Sequence, residues 1–388
     1  MKRWVYMDHA ATTPVDERVL EAMLPYLRER YGNPSSLHRL GREAARALRQ
    51  AREEIAQVLN CTPKEIIFTS GGTESNNLAL RGIAWAQRHA GKGVHIVISA
   101  VEHKAVLDTA KDLATRYGFE LTIVPVDATG RVSVQEVARA LREDTILVSV
   151  MYANNEVGTL QPVADIGALC RERGIPFHTD AVQAAGYCSL DVQALQVDAL
   201  SISGHKVYGP KGTGLLYLRA GTPCWPQITG GGQEGGRRSG TENVAGIVGL
   251  ARALTIAQET RTEEAGRLTQ LRDQLIERVL TRIPDVYLTG HPEHRLPNHA
   301  SFVIQGLEIQ GVLMGLDLAG VAASSGSACT SAAQTPSHVL TAMGIPHTDA
   351  VGHLRLTLGR HTTVDDVTYT VDALQSVVEQ LREHVYQP

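Results

Sequence analysis

Short apolar runs alternate with longer amphipathic stretches between about residue 16 and residue 250. The apolar runs, which we predict as strands, lie at 65–70, 94–100, 121–126, 145–151, 175–180 and 197–203. Helical periodicity marks the stretches at 38–58, 75–89, 103–117 and 163–173. Such alternation is typical of β-α-β crossovers, so it predicts a mostly parallel sheet. Because the runs are apolar at successive positions, helices should cover both faces of that sheet.

The pattern changes after the glycine-rich segment 229–243, TGGGQEGGRRSGTEN. A long helical pattern follows from about 244 to 282, and after it short strands mix with helices. This mixture predicts a second, smaller α+β domain. We therefore expect a large domain at 16–250 and a small domain formed by 1–15 and 251–388.

The composition is that of a globular chain with a modest net charge. Its 388 residues are 43% hydrophobic and carry a formal net charge of −4, with no long basic run, which argues against nucleic acid as the main ligand. No apolar stretch is long enough to span a bilayer. Asp8 and His9 stand where a signal peptide would have its apolar core, so we expect a soluble, cytoplasmic protein. The five cysteines form no Cys-x-x-Cys pair, which disfavours a zinc site or a disulfide framework.

Polar residues follow the predicted strands, at the sheet edge where open parallel sheets bind ligands. They form the segments Gly71-Gly72-Thr73-Glu74-Ser75, Glu102-His103-Lys104, Tyr152-Ala153-Asn154-Asn155-Glu156, Asp180-Ala181-Val182-Gln183 and Ser203-Gly204-His205-Lys206. The first segment opens a predicted helix, whose free backbone N–H groups suit a phosphate. Taken singly, each segment is explained as well by a helix cap or a turn.

Taken together, these segments supply the groups that bind pyridoxal 5′-phosphate (PLP). That cofactor needs a lysine for a Schiff base, an aspartate for its ring nitrogen, an aromatic ring to stack on its own, and donors for its phosphate. A nucleotide would need no lysine imine and would leave Asp180 unexplained. The sequence therefore predicts a PLP site, for which Lys206 and Lys211 are both candidate lysines.

Eight motifs spread over nearly the whole chain resemble those of a known family. In order they are MDHAATTP, FTSGGTESNNLAL, EHKAVLDT, NNEVGTLQP, HTDAVQAAG, SGHKVYGPKG, RRSGTEN and SSGSACTS. They resemble the motifs of cysteine desulfurases of the NifS/IscS branch, which are PLP enzymes of fold type I in the class V aminotransferase superfamily. The resemblance implies an α/β fold with a mostly parallel large-domain sheet, helices on both its faces, and a smaller α+β domain. It also implies a homodimer.

The resemblance assigns roles to individual residues. Lys206 matches the Schiff-base lysine, which leaves Lys211 as a structural residue of the following turn. The residues implied to hold the cofactor are His103 stacking on the ring, Asp180 at the ring nitrogen, Asn155 and Gln183 beside the phenolic oxygen, and Gly72, Thr73, Ser203, His205 and the neighbouring subunit's copy of Thr241 at the phosphate. Asn33 and Arg355 resemble the residues that hold the substrate carboxylate, and an arginine fork suits that group.

Cys329 lies among small residues and hydroxyls in SSGSACTSAAQTPS. On composition alone it is either a cysteine in a tight turn or a nucleophile on a mobile loop, and the resemblance implies the nucleophile. The other four cysteines are expected to be packed thiols: Cys61, Cys170, Cys188 and Cys224. The implied reaction converts L-cysteine into L-alanine and leaves sulfur on Cys329 as a persulfide. Lys206 and His103 are implied to transfer the protons.

Other functions fit some of the same residues. A selenocysteine lyase or an aminotransferase of the same superfamily would keep the fold, although an aminotransferase needs no nucleophilic thiol. A non-enzymatic sulfur scaffold is disfavoured because Lys206, Asp180 and His103 are all present. The resemblance implies sulfur acceptors in iron–sulfur cluster assembly or in thiolation of tRNA and cofactors. The sequence ends at 385–388, where IscS-type members often continue into a tail that helps dock the scaffold protein. The resemblance therefore does not extend to that docking mode, and NifS-like or other acceptors stay open.

Overall fold

The computed structural model describes residues 3–326 and 337–385 of the chain. In chain order its strands are β1 (Val5–Tyr6), β2 (Ile66–Thr69), β3 (His95–Ser99), β4 (Glu120–Val124), β5 (Thr145–Ser149), β6 (Phe177–Asp180), β7 (Ala199–Ser203), β8 (Gly214–Leu218), β9 (Val286–Leu288), β10 (His299–Ile304), β11 (Val321–Ala322) and β12 (His353–Thr357). Its α-helices are α1 (Glu17–Arg28), α2 (Arg39–Leu59), α3 (Gly72–His89), α4 (Lys104–Tyr117), α5 (Val134–Ala140), α6 (Val163–Arg173), α7 (Val244–Glu259), α8 (Arg261–Arg282), α9 (Ile309–Ala319), α10 (His338–Ala342), α11 (His347–Ala350) and α12 (Val364–Val385). Every strand and helix predicted between residues 38 and 203 is present.

A seven-stranded sheet forms the centre of the larger part, in the order β2-β8-β7-β6-β5-β3-β4. Strands β3 to β7 run parallel to their neighbours within that group, whereas β8 is antiparallel to both β2 and β7. The prediction of a mostly parallel sheet is therefore confirmed, and β8 is a strand that the sequence patterns did not predict. Since the five parallel strands point the same way, their carboxyl ends share one edge.

Helices cover both faces of this sheet. Along β3, Ile96 and Ile98 belong to a buried cluster with residues of α3 and α4. Val97, which points to the opposite face, belongs to a cluster with Ile55 of α2 and Leu250 of α7. A strand buried on both faces is apolar at every position, which is why the strand signal in the sequence was a continuous run.

The single long helix predicted at 244–282 is wrong, because the chain breaks it at Thr260 into α7 and α8. The hydroxyl of Thr260 donates to the carbonyl of Ile256, which closes the last turn of α7. The buried face of α7 packs into the core beside the central sheet. The buried face of α8, which includes Leu268 and Leu275, packs into a separate core. Helical periodicity alone does not reveal that the two halves serve different cores.

That separate core belongs to the smaller part of the molecule. Strands β12, β10 and β9 form an antiparallel sheet in that order, and α8, α9 and α12 contribute apolar side chains to its packing. Val5 and Met7 join the same cluster, and β1 pairs with β11. These contacts agree with a small domain that includes the N-terminal segment, but the proposed boundary at 250/251 falls inside α7, which packs beside the central sheet. No helix in 3–326 or 337–385 is both long enough and apolar enough to cross a membrane.

Candidate active site

A cavity of about 360 Å³ lies at the edge where the parallel strands end. The predicted site residues that line it are Gly72, Thr73, His103, Asn155, Asp180, Gln183, Ser203, His205, Lys206 and Arg355. They come from six separate places in the chain, and Arg355 comes from the small-domain strand β12. The fold thus brings together in one cavity most of the residues that the sequence singled out.

One end of the cavity is the N-terminus of α3. This helix has 18 residues and begins at Gly72, so its first backbone N–H groups lack helical acceptors and attract anions. A Cβ atom at Gly72 would lie 2.7 Å from a methyl carbon of Val182 and 3.6 Å from the Cβ of Ser203. The crowding explains the glycine, and it places the Ser203 side chain beside the helix end. The arrangement suits a phosphate group.

Asp180 is held rigidly at the end of β6. Its side chain is buried, and its Oδ2 accepts a hydrogen bond of 2.6 Å from Nδ2 of Asn76. Its Oδ1 accepts a bond of 2.9 Å from the backbone N–H of Val182. Each carboxylate oxygen can accept a second bond, so the group can still pair with a cationic N–H in the cavity. Sequence reasoning missed Asn76, whose position one turn after Gly72 on α3 was the available signal.

The amine of Lys206 lies against the N-terminal segment of the chain. Its Nζ is 2.6 Å from the carbonyl oxygen of Ala10 and 2.6 Å from that of Ala11. The backbone N–H of Thr13 donates to the carbonyl of His205 at 2.9 Å, which fixes the same segment to the turn that carries the lysine. Backbone acceptors leave no mark in side-chain patterns, so this support was not predictable from the motif that contains them.

The two histidines of the cavity differ in their surroundings. Nδ1 of His103 accepts from the backbone N–H of Ala105 at 3.1 Å, so a neutral His103 ring carries its proton on Nε2. Nδ1 of His205 lies 3.1 Å from the hydroxyl of Thr12. Burial, then the charges of Lys206 and Lys211, lower the pKa of His205 to about 4. His205 is therefore neutral at pH 7.

Arg355 is almost fully buried, with 2% of its side chain exposed. Its Nη1 donates to the carbonyls of Asn155 at 2.9 Å and Gly326 at 3.1 Å. Its Nη2 donates to Oδ1 of Asp8 at 2.8 Å. Gln183, which also lines the cavity, donates from Nε2 to the carbonyl of Ala10 at 3.0 Å. The side chains that line the cavity are thus tied to the backbone of distant segments.

Two of the predicted residues that the structure describes do not line the cavity, and a third cannot be placed. Asn33 is exposed on the loop between α1 and α2, where its Oδ1 accepts from the backbone N–H of Ser35. Thr241 is exposed on the segment 229–243. That segment is well anchored, because Glu234 accepts bonds from Arg52 and from the backbone N–H of Phe68. Cys329 lies outside the described residues.

The four described cysteines are poor nucleophiles. Burial raises the pKa of each to about 12: Cys61, Cys170, Cys188 and Cys224. Because the thiolate is the reactive form, all four are protonated thiols at pH 7. The expectation that they are packed thiols fits these surroundings.

Glu102 is a buried carboxyl group that sequence reasoning passed over. Its Oε1 accepts from the hydroxyl of Ser99 at 2.5 Å and from the backbone N–H of Met151 at 2.7 Å. Among the described residues, none bonds its Oε2. Burial, with a smaller contribution from the charge of Asp180, raises the pKa of Glu102 to about 8. Its backbone carbonyl accepts from Nε2 of His338, a residue that also lines the cavity.

The donor set fits PLP. The end of α3 offers backbone N–H groups to a phosphate, the buried Asp180 carboxylate can accept from a pyridinium nitrogen, and the amine of Lys206 shares the same cavity. A cofactor that combines an aldehyde, a basic ring nitrogen and a phosphate matches all three groups. The match comes from the chemistry of the side chains and from their shared enclosure.

Comparisons with known proteins agree with this reading of the cavity. The aminotransferase class-V family model matches residues 5–370. The cysteine desulfurase IscS of Dictyoglomus turgidum is 50% identical over 382 residues, which cover 98% of this chain and 96% of that protein. A solved structure of a NifS-like protein has a TM-score of 0.91 and 40% identity, covering 97% of this chain and 100% of that one. The structure of SspA in complex with cysteine has a TM-score of 0.81 and 38% identity, covering 92% and 99%.

The fold and the cavity thus define a PLP-dependent enzyme of fold type I. The chain belongs to the class-V aminotransferase family. The resemblance to cysteine desulfurases of the NifS/IscS branch is confirmed over nearly the full length. The roles of individual residues remain predictions, which the geometry above makes specific.

The raised pKa of Glu102 predicts a pH dependence of stability. The folded protein keeps a proton that the unfolded chain releases above the ordinary glutamate pKa of 4.5, so wild-type stability falls as pH rises from about 4.5 to about 8. Glu102→Gln cannot lose that proton. The free energy of unfolding of Glu102→Gln minus that of the wild type should therefore increase between about pH 5 and pH 8, by on the order of 3 kcal/mol.

Denaturant titrations of the PLP-loaded proteins at both pH values measure this difference. Glu43→Gln is the control, because Glu43 forms only an exposed i,i+4 ion pair with Arg39. A difference between Glu102→Gln and wild type that stays constant with pH would mean that Glu102 is ionised in the folded protein.

Proposed function

We propose that this protein is a cysteine desulfurase that converts L-cysteine to L-alanine and retains the sulfur as a persulfide on Cys329. The observation that carries the proposal is the enclosure of Lys206, Asp180 and Arg355 in one cavity beside the N-terminus of α3. PLP and an amino-acid substrate together require four groups: an amine, a buried carboxylate, an anion-binding helix N-terminus and a buried guanidinium. The similarity to a cysteine desulfurase over 98% of the chain supports the choice of reaction.

PLP, when bound, supplies an electron sink for negative charge at the Cα of the substrate. The chain holds the cofactor through the amine of Lys206, the carboxylate of Asp180 and the donors at the start of α3. The bond from Asn76 keeps the Asp180 carboxylate aligned, and the ring of His103, which lines the same cavity, would stack on the cofactor ring. Ser203 and His205 lie at the phosphate end, where a neutral His205 acts as a hydrogen-bond donor.

Lys206 removes the Cα proton of the substrate at its Nζ. The two carbonyls at 2.6 Å keep this amine near the reacting carbon. His103 lines the same cavity, and its Nε2, the ring nitrogen that the N–H of Ala105 does not occupy, is the atom that relays protons. A proton donor is needed when the Cβ of the substrate loses sulfur and becomes the methyl group of alanine.

Arg355 binds the carboxylate of the substrate through the N–H groups that its protein partners leave unused. A cysteine complex is known for the similar protein SspA, which supports cysteine as the substrate here. The thiolate of Cys329 attacks the substrate sulfur, so that a carbon–sulfur bond breaks and a sulfur–sulfur bond forms. The products are alanine and a Cys329 persulfide, and no external oxidant or reductant is needed. The four described cysteines are unsuited to this step, since burial raises their pKa values.

We assign the persulfide sulfur to acceptor proteins of iron–sulfur cluster assembly or of other thiolation reactions in the cytoplasm. The relative from Dictyoglomus turgidum carries the name IscS, which favours the cluster-assembly route. We also propose a homodimer. The exposure of Thr241 on a segment anchored through Glu234 suits a residue that reaches a neighbouring subunit.

Replacement of Lys206 tests how the cofactor is held. Lys206→Ala should lose the covalent attachment of PLP. Among the described residues that line the cavity, Lys104 at the start of α4 is the one other lysine, and we do not expect it to replace Lys206. Borohydride reduction followed by intact-protein mass spectrometry measures the attachment. Lys211→Ala, an exposed lysine of the same turn, should keep the full added mass. Covalent PLP retained at wild-type level in Lys206→Ala would contradict the assignment.

Replacement of Cys329 tests the sulfur acceptor. Cys329→Ser should bind PLP and L-cysteine but form no persulfide, because a hydroxyl cannot accept sulfur in this way. Trapping with an alkylating reagent and peptide mass spectrometry locates the persulfide in the wild type. Cys224→Ser is the control and should form it normally. Sulfide release from Cys329→Ser at the wild-type rate would show that another group accepts the sulfur.

A further inference from the structure

The guanidinium of Arg355 has most of its hydrogen-bonding capacity already committed. It has five N–H groups, and three of them donate to Asn155, Gly326 and Asp8. Its Nε is buried and has no partner among the described residues. The unused N–H groups therefore lie on Nε and Nη2, two nitrogens that can bind both oxygens of one carboxylate in parallel. Arg355 lines the cavity, so this unused pair is the part available to a ligand.

Asp8 is the anionic partner that fixes this arrangement. Its Oδ1 lies 2.8 Å from Nη2, and it is the one ion-pair partner of Arg355 in the described part of the chain. Asp8 is itself held by a β-bridge to Thr357, two residues beyond Arg355 on β12. It also begins the segment whose Ala10 and Ala11 carbonyls contact Lys206. The aspartate is thus anchored independently of the arginine that it orients.

We propose that Asp8 is a positioning residue for substrate binding, which orients Arg355 so that its Nε and Nη2 edge faces the substrate carboxylate. The inference rests on the proposed function in taking an amino acid as the ligand. The two bonds from Nη1 go to neutral carbonyls. On their own they would let the guanidinium tilt about Nη1. The Asp8 contact removes this freedom with a charge-assisted bond.

Asp8 should affect the binding of the substrate and not the chemical step. Asp8→Ala should raise the KM for L-cysteine and the dissociation constant for L-alanine about tenfold, the loss expected when one charge-assisted contact is left poorly placed. The kcat should change little, because the reacting atoms are elsewhere. Asp8→Asn should stay close to wild type, since its amide oxygen still accepts from Nη2. L-Cysteine methyl ester lacks the carboxylate. In Asp8→Ala its KM should therefore no longer be higher than that of L-cysteine.

The experiment uses PLP-loaded full-length protein, with L-alanine binding followed by the absorption change of the cofactor. Asp16→Ala is the matched control, because Asp16 pairs with Arg360 near the same end of the chain but outside the cavity. It should lower the free energy of unfolding without changing either constant. If Asp8→Ala does not fold, Asp8→Glu serves instead, because its longer side chain keeps the charge but displaces the carboxylate and should raise both constants.

Unchanged constants and unchanged ester discrimination in the folded variant would overturn the proposal. Equal losses in kcat and in binding for both Asp8→Ala and Asp8→Asn would also overturn it, because they indicate a structural role only. A wild-type protein that binds L-alanine but releases none from L-cysteine would refute the proposed function instead. The alanine dissociation constants would still test Asp8 in that case.

Discussion

The hydrogen bonds between the N-terminal segment and the turn after β7 are the contacts on which the cavity depends. Thr13 bonds to the carbonyl of His205, and the carbonyls of Ala10 and Ala11 hold the amine of Lys206. The same segment begins at Asp8, which holds Arg355 from the small-domain sheet. One short stretch of backbone therefore sets the distance between the cofactor end of the cavity and its substrate end.

Burial decides the protonation of the groups around this cavity. It keeps His205 neutral and, by raising the pKa of Glu102 to about 8, keeps that carboxyl protonated at pH 7. It also keeps the four described cysteines as thiols. Asp180 is instead held by hydrogen bonds, because an amide and a backbone N–H donate to its two oxygens. Desolvation thus keeps His205, Glu102 and the four thiols neutral.

Much of the fold and the site could be predicted from the sequence. Buried parallel strands give continuous apolar runs, and the residues that follow them meet at one edge because the strands are parallel. For this reason His103, Asp180 and Lys206 were identified correctly as neighbours. The break at Thr260 was not predictable, since it depends on which of two cores each helix enters.

The remaining residues were missed because their contacts join distant parts of the chain. Asn76 supports Asp180, and Asp8 supports Arg355, across more than a hundred residues in each case. The acceptors for Lys206 are backbone carbonyls, which no side-chain motif encodes. Asn33 is the opposite case. The resemblance implies a role for it in substrate binding, but it lies on an exposed loop in the single chain.

The most direct test is to mix the purified, PLP-loaded protein with L-cysteine in a single turnover and to quantify alanine and Cys329 persulfide together. Both should appear at the same rate and in equal amounts, because one sulfur is transferred for each alanine formed. Alanine formed without persulfide on Cys329 would contradict the assigned acceptor. The absence of alanine from a protein with bound cofactor would contradict the desulfurase function itself.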